Sequence, residues 1–127
     1  MSLAYELKAG TIQFTTTGDV EHSGALETLK AGLAAAAVNP IPNGWHLLFD
    51  IRNSTENRDP NELRNTATAI ALHRAALSGR CAVVAADPLH YGLARMFGVF
   101  MDGIGFEAHV CKDLENATHW LNTPQPT

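Results

Sequence analysis

The side chains best equipped for chemistry fall in two short polar stretches, each directly behind an apolar run. Asp50 near the end of the run that starts at Trp45 is followed by Arg52, Ser54 and Thr55, and Asp87 and His90 follow Cys81 to Ala86. Two carboxylates, a guanidinium, two hydroxyls and an imidazole could together grip a polar ligand, an anion or a protein partner. Tyr91 and Arg95 stand one helical turn apart, and both residue types are enriched at binding hot spots. A Tyr ring lying over an Arg stem on a solvated face would give the same spacing.

Catalysis is the weaker reading of these residues. The sequence has no GxSxG, no GxxxxGK[ST] and no GxGxxG, and Gly98, Gly103 and Gly105 fall within or after a helix rather than between a strand and a helix. Cys81 opens an apolar strand, where a thiol is a small buried hydrophobe unless a base reaches it. Six histidines, at 22, 46, 73, 90, 109 and 119, show neither HExxH nor HxH spacing, so neither a metal site nor a cofactor is expected.

Charge narrows the partner class. Nine Lys and Arg face 13 Asp and Glu, a formal charge of -4 with no basic run, which argues against nucleic acid. No apolar stretch approaches the ~20 residues of a membrane span, and MSLAYELKAG lacks the charged and apolar regions of an export signal. A cytoplasmic protein is the expectation. Cys81 and Cys111 lack CxxC spacing and read as reduced, buried thiols.

The 127 residues suit one domain, with a core over residues 5 to 121. Tyr5 to Lys8 and Thr11 to Thr17 read as an antiparallel hairpin, and Val20 to Val38 as a first helix striped by Leu26, Leu29 and Leu33. WHLLFDI, Trp45 to Ile51, is apolar enough to lie at the sheet centre, and Arg52 to Arg58 would then be a loop. Asp59-Pro60 with Glu62 starts a second helix, expected to run to about Ser78 and stop at Gly79. Cys81 to Ala86 is a buried strand, and Asp87-Pro88 starts a third helix that ends near Gly103. On that helix Leu89, Leu93, Met96, Phe97 and Phe100 share an apolar face, with Tyr91, Arg95 and Asp102 opposite. Phe106 to Cys111 alternates like an edge strand, Asp113 to Leu121 closes as a helix, and NTPQPT is a frayed tail. Cys81 and Cys111 then sit about 15 Å apart along neighbouring strands, too far for a disulfide.

The order β-β-α-β-α-β-α-β-α implies a mostly parallel five-stranded sheet with four helices and an antiparallel first strand. With FDIRN, AADPLHYGLARMFGVFMDGIGFE and KDLENATHWL in their places, residues 5 to 121 resemble the SpoIIAA-like family, related to STAS domains. The resemblance implies a (βα) superhelix of anti-sigma-factor-antagonist type, similar in shape to lipid-binding CRAL-TRIO domains, that works by binding. STAS antagonists carry a phosphorylatable Ser or Thr in a short Asp-Ser-Ser-Gly-like turn. Here that turn is Asn53-Ser54-Thr55-Glu56-Asn57, with no following Gly, so a phospho-switch does not follow from the resemblance.

In parallel sheets, ligands gather at the carboxyl ends of strands, where both polar stretches fall. The helix starts behind them offer unpaired NH groups to an anion, although Asp59 and Asp87 fill the same places as caps. The leading expectation is a noncatalytic regulatory module that binds a protein partner through Arg52 to Arg58 and the third helix. The alternatives are a carrier or sensor of a small apolar, lipid-like or anionic ligand, with the Met and Phe residues of the third helix lining a cavity, and, more weakly, a hydrolase or transferase. A packed interior would favour the first, and an apolar cavity the second. Homodimerisation is open.

Overall fold

The computed structural model describes residues 2–123. Three apolar strands in parallel need cover on both faces, and the chain supplies it unequally. The sheet runs β1 (Ser2–Lys8), β2 (Thr11–Gly18), β3 (Trp45–Ser54), β4 (Leu77–Val84) and β5 (Glu107–Cys111), in that spatial order, with β1 antiparallel and every other pairing parallel. Helices α1 (His22–Ala37), α2 (Pro60–Ala71) and α3 (Pro88–Gly103) cover one face, and α4 (Leu114–Asn122) packs on the other.

Alternation along the strands sorts side chains between two cores. Leu47 joins Ile12, Phe14, Cys81 and Val83 beneath α1 to α3, while Leu48 joins Ala82, Val84 and Cys111 beneath α4. Phe14 stacks on Phe49, which meets Phe97 of α3 edge-on, so an aromatic row ties β2, β3 and α3 together. Gly32 lets α1 approach this row, since a Cβ there would lie 2.8 Å from the Phe14 ring.

Several boundaries differ from the sequence reading. The hairpin begins at Ser2 rather than Tyr5, and β3 continues to Ser54, so Arg52 to Ser54 are strand rather than loop. Pairing of Asn53 with Thr17 and Ser54 with Gly18 extends the strand past its apolar run. Helix α2 stops at Ala71, not near Ser78. Its apolar face ends at Ile70, Leu72 is 79% exposed, and a 3-10 turn at Arg74–Ala76 delivers Leu77 to pair with Trp45. Gly79 therefore lies inside β4, with φ of 95°, and ends no helix.

The longer β4 also shortens the separation of the thiols. Cys81 pairs with Ala108 and Val84 with Cys111, an offset of three residues, or about 10 Å rather than 15. They also point to opposite faces, and both are free and buried.

Helix α3 keeps Phe97 buried and Leu93 and Phe100 half-buried toward the interior, as expected, but the centre of its buried stripe is shifted by one residue. His90, Ala94, Phe97 and Met101 are buried, whereas Leu89 and Met96 are 56% and 39% exposed. Spacing alone fits either stripe; the hydrogen bonds of His90 select the observed one. The tail expected to fray falls mainly on residues 124–127, outside the described residues. No described helix is long and apolar enough to cross a membrane.

Candidate binding rim and cavity

The carboxyl end of β3 carries an ion pair. Asp50 is 5% exposed and accepts two hydrogen bonds from the Arg52 guanidinium, Nε and Nη2 each at 2.9 Å, plus the Arg52 backbone NH at 3.2 Å. Burial pushes the Asp50 carboxyl up, but the hydrogen bonds and charge of Arg52 outweigh it and leave the pKa below the ordinary value. Asp50 shares the strand face of Leu48, toward α4, where the Asp113 cap adds to the field on Arg52.

A second arrangement lies toward α1 to α3. Asp87 caps α3 by accepting the His90 backbone NH at 2.9 Å, and its carboxylate also takes the His90 ring at Nδ1, 2.7 Å away. Nε2 of the same ring meets the Glu56 carbonyl at 2.7 Å. Both ring nitrogens are thus engaged by oxygen atoms of the protein. Neither nitrogen is free to take a proton from a substrate. The side-chain oxygen of Glu56 pairs with Arg58 at 2.9 Å and accepts the Val20 NH at 3.3 Å, while Arg58 also donates to the Val20 carbonyl. Burial raises the Glu56 carboxyl above its usual range, and Arg58 opposes the shift without cancelling it.

Beneath Glu56, Arg58 and His90 opens an apolar cavity of about 120 Å³. Its wall draws on β1 to β4 and on α1 to α3, with Leu3, Thr16, Phe49, Val83, Leu63 and Leu93 among the lining side chains. His22, the first residue of α1, also lines it. The interior is therefore not fully packed at the carboxyl end of the sheet.

The sequence-derived residues do not form one cluster. Asp50 and Arg52 make a pair on the α4 side, Asp87 and His90 another at the cavity mouth. Ser54 is buried, its Oγ accepting the Glu56 NH at 3.3 Å, while Thr55 is exposed with its NH bonded to the Gly18 carbonyl. Tyr91 and Arg95 do share a stripe with Asp102, but it flanks a shallow groove along β5 beside Glu107 and His109, away from the cavity. Sequence reasoning does not single out Glu56, Arg58 or His22. The alternation Glu56-Asn57-Arg58 ahead of a cap is the available signal, and it says nothing of burial. Among the described residues, no three His, Cys, Asp or Glu side chains gather as a metal site would require.

No protein-family model and no curated protein matches the chain. Solved structures do. An uncharacterised protein of the DUF3478 family with a SpoIIAA-like fold, from Shewanella loihica, superposes with a TM-score of 0.64 at 17% identity, over 94% of this chain and 92% of the other. An anti-sigma factor antagonist from Mycobacterium paratuberculosis gives 0.60 at 14% identity, over 96% and 94%. The anti-sigma factor antagonist SpoIIAA in its unphosphorylated form gives 0.65 at 11% identity, over 97% and 100%. Superposition at TM-scores of 0.60 to 0.65 over nearly the whole of both chains shows that the protein has the SpoIIAA-like α/β fold.

Proposed function

We propose that the chain is a noncatalytic regulatory module that acts by contact with a protein partner, through the rim from Arg52 to Arg58 and the adjoining surface of α3. The observation that carries this is the closure of the rim's polar groups on one another. Asp50 is tied to Arg52, Glu56 to Arg58 and His90 to both Asp87 and Glu56, so these rim groups are engaged with one another rather than set up as a base beside a nucleophile. Thr55, Asn57 and Leu89 stand exposed on it, ready for contact. Two proteins of the same fold are named as anti-sigma factor antagonists, which supports the same mode of action here. Affinity capture from the native cell tests it, with Thr55→Arg and Leu89→Glu as rim variants and Lys30→Glu on α1 as a control. A partner held by the wild type and by Lys30→Glu, but lost with either rim variant, is the expected result. Equal retention by all four proteins contradicts the assignment.

The cavity supports a second reading, a sensor of a small apolar molecule. Glu56 and Arg58 belong to both the cavity wall and the rim, so an occupant would act on the contact surface directly. At about 120 Å³ the cavity is well below the ~300 Å³ at which pockets for drug-sized ligands begin, so a whole lipid is not the occupant.

A further inference from the structure

We infer that the cavity takes a compact, uncharged ligand, one ring or a short branched chain bearing a single hydroxyl or carbonyl, and that His22 supplies the hydrogen bond that selects it. This rests on the sensor reading above and names its ligand class. Size comes first. An apolar protein cavity of about 150 Å³ accepts benzene, so the 120 Å³ of this one, open at the mouth, suits a single ring with a small substituent.

Charge comes second. The polar groups at the wall pair off, Arg58 with Glu56 and the His90 ring with Asp87 and the Glu56 carbonyl, so their hydrogen-bonding positions are already occupied. A carboxylate entering this space would lose its hydration and gain no unpaired cation in exchange, a balance that excludes anionic ligands. The unpaired polar atom is of another kind. Among the described residues two buried side-chain nitrogens lack a hydrogen-bond partner, Arg80 Nε and His22 Nε2, and of these only the second belongs to a residue of the cavity wall. Arg80 is engaged on the far side of the sheet, where its Nη1 donates to the Trp120 and Thr123 carbonyls at the end of α4. A buried nitrogen left unpaired costs free energy that a single ligand oxygen would recover. The apolar remainder of the wall, with Leu29, Phe49 and Phe97, then holds the ligand body.

The test is an amide chemical-shift titration of the full chain with benzyl alcohol, toluene and benzoate in turn. Benzyl alcohol is expected to move the amides of Thr16, His22 and Phe49 saturably, with benzoate about ten-fold weaker or absent. His22→Leu should weaken benzyl alcohol about five-fold, the worth of one neutral hydrogen bond, and leave toluene unchanged. His22→Gln, which keeps a polar terminus, should retain most of the affinity. If no probe produces saturable shifts at these residues up to its solubility limit, the sensor reading itself falls. If benzoate binds as tightly as benzyl alcohol, or His22→Leu leaves benzyl alcohol unaffected, the sensor reading survives and selection of an uncharged ligand by His22 is wrong. Should His22→Leu fail to fold, the order of the three probes on the wild type decides.

Discussion

Removing Arg52 exposes what the Asp50 pair contributes and how that contribution depends on pH. In Arg52→Ala the Asp50 carboxylate, its side chain 6% exposed, loses both guanidinium bonds while remaining buried. Breaking a buried ion pair from one side costs about 3–5 kcal/mol. The Arg52 side chain is 35% exposed, so water screens the pair and part of that cost disappears, leaving about 2 kcal/mol at neutral pH. For a domain of this length about 2 kcal/mol lowers Tm by roughly 8 °C. The sign of the pH dependence follows from Asp50's folded pKa, which lies below the ordinary value. A depressed acid contributes stability that is complete above its unfolded pKa and is lost as pH falls through the folded one. In the variant only the backbone NH of residue 52 still opposes burial, which is the larger effect, so the pKa rises and stability instead falls as pH rises through the ordinary carboxylate range. The gap between the two proteins must therefore be wide at neutral pH and shrink in acid. Urea denaturation near neutral pH and again near pH 4, followed by the buried Trp45, measures it. A gap of equal size at both pH values, or one below about 0.5 kcal/mol at neutral pH, would refute the reasoning.

Other substitutions address the scaffold. Gly44→Ala should cost at least about 2 kcal/mol in urea denaturation, because φ is 78° and the new Cβ would lie 2.5 Å from the Leu77 carbonyl carbon. Gly79→Ala, also at positive φ but facing open space, should cost only about 1 kcal/mol. Asp59→Ala removes the side-chain half of the capping box at α2 and should cost about 1 kcal/mol, with Asp59→Asn largely spared. Burial raises both the Cys81 and Cys111 thiols, so neither should react with an aromatic disulfide reagent in the native state and both should react in urea; fast native labelling of Cys81 would contradict its placement.

The parts of the fold legible in the sequence are those decided by neighbours in the chain. Asp59-Pro60 with Glu62 places the start of α2 because the cap, the ring and the reciprocal bond all lie within four residues. Asp87-Pro88 places α3 for the same reason. The features that sequence misplaces depend on distant contacts. The phase of α3 slips by one residue because His90 counts as polar by type, yet it is buried by a bond to Glu56, 34 residues away. A local stop signal puts the end of α2 at Gly79, whereas pairing of Leu77 with Trp45 decides it. The site suffers most. Nothing local marks Glu56 and Arg58 as a half-buried pair closing on Val20, or His22 as a cavity wall residue.

These placements also bear on how a signal could enter the rim. The helix starts there promise anion sites, but each is already occupied by its own carboxylate: Asp59 accepts the Glu62 NH at 2.8 Å and Asp87 the His90 NH at 2.9 Å. A phosphoryl group would meet negative charge where a free helix end would have offered NH groups. Ser54 is an unsuitable acceptor for a further reason, being 5% exposed with its hydroxyl bound to the Glu56 NH. Thr55 is exposed, but a phosphate on it would sit beside Glu56 and ahead of Asp59, with Arg58 already committed to Glu56 and Val20. Such a charge would loosen the loop rather than be held by it. The rim is thus built to resist added anions, and two inputs remain compatible with it: a protein surface from above and an uncharged molecule from the cavity below. Because Glu56 and Arg58 belong to both the rim and the cavity wall, an occupant that shifted this ion pair would change the surface offered to a partner.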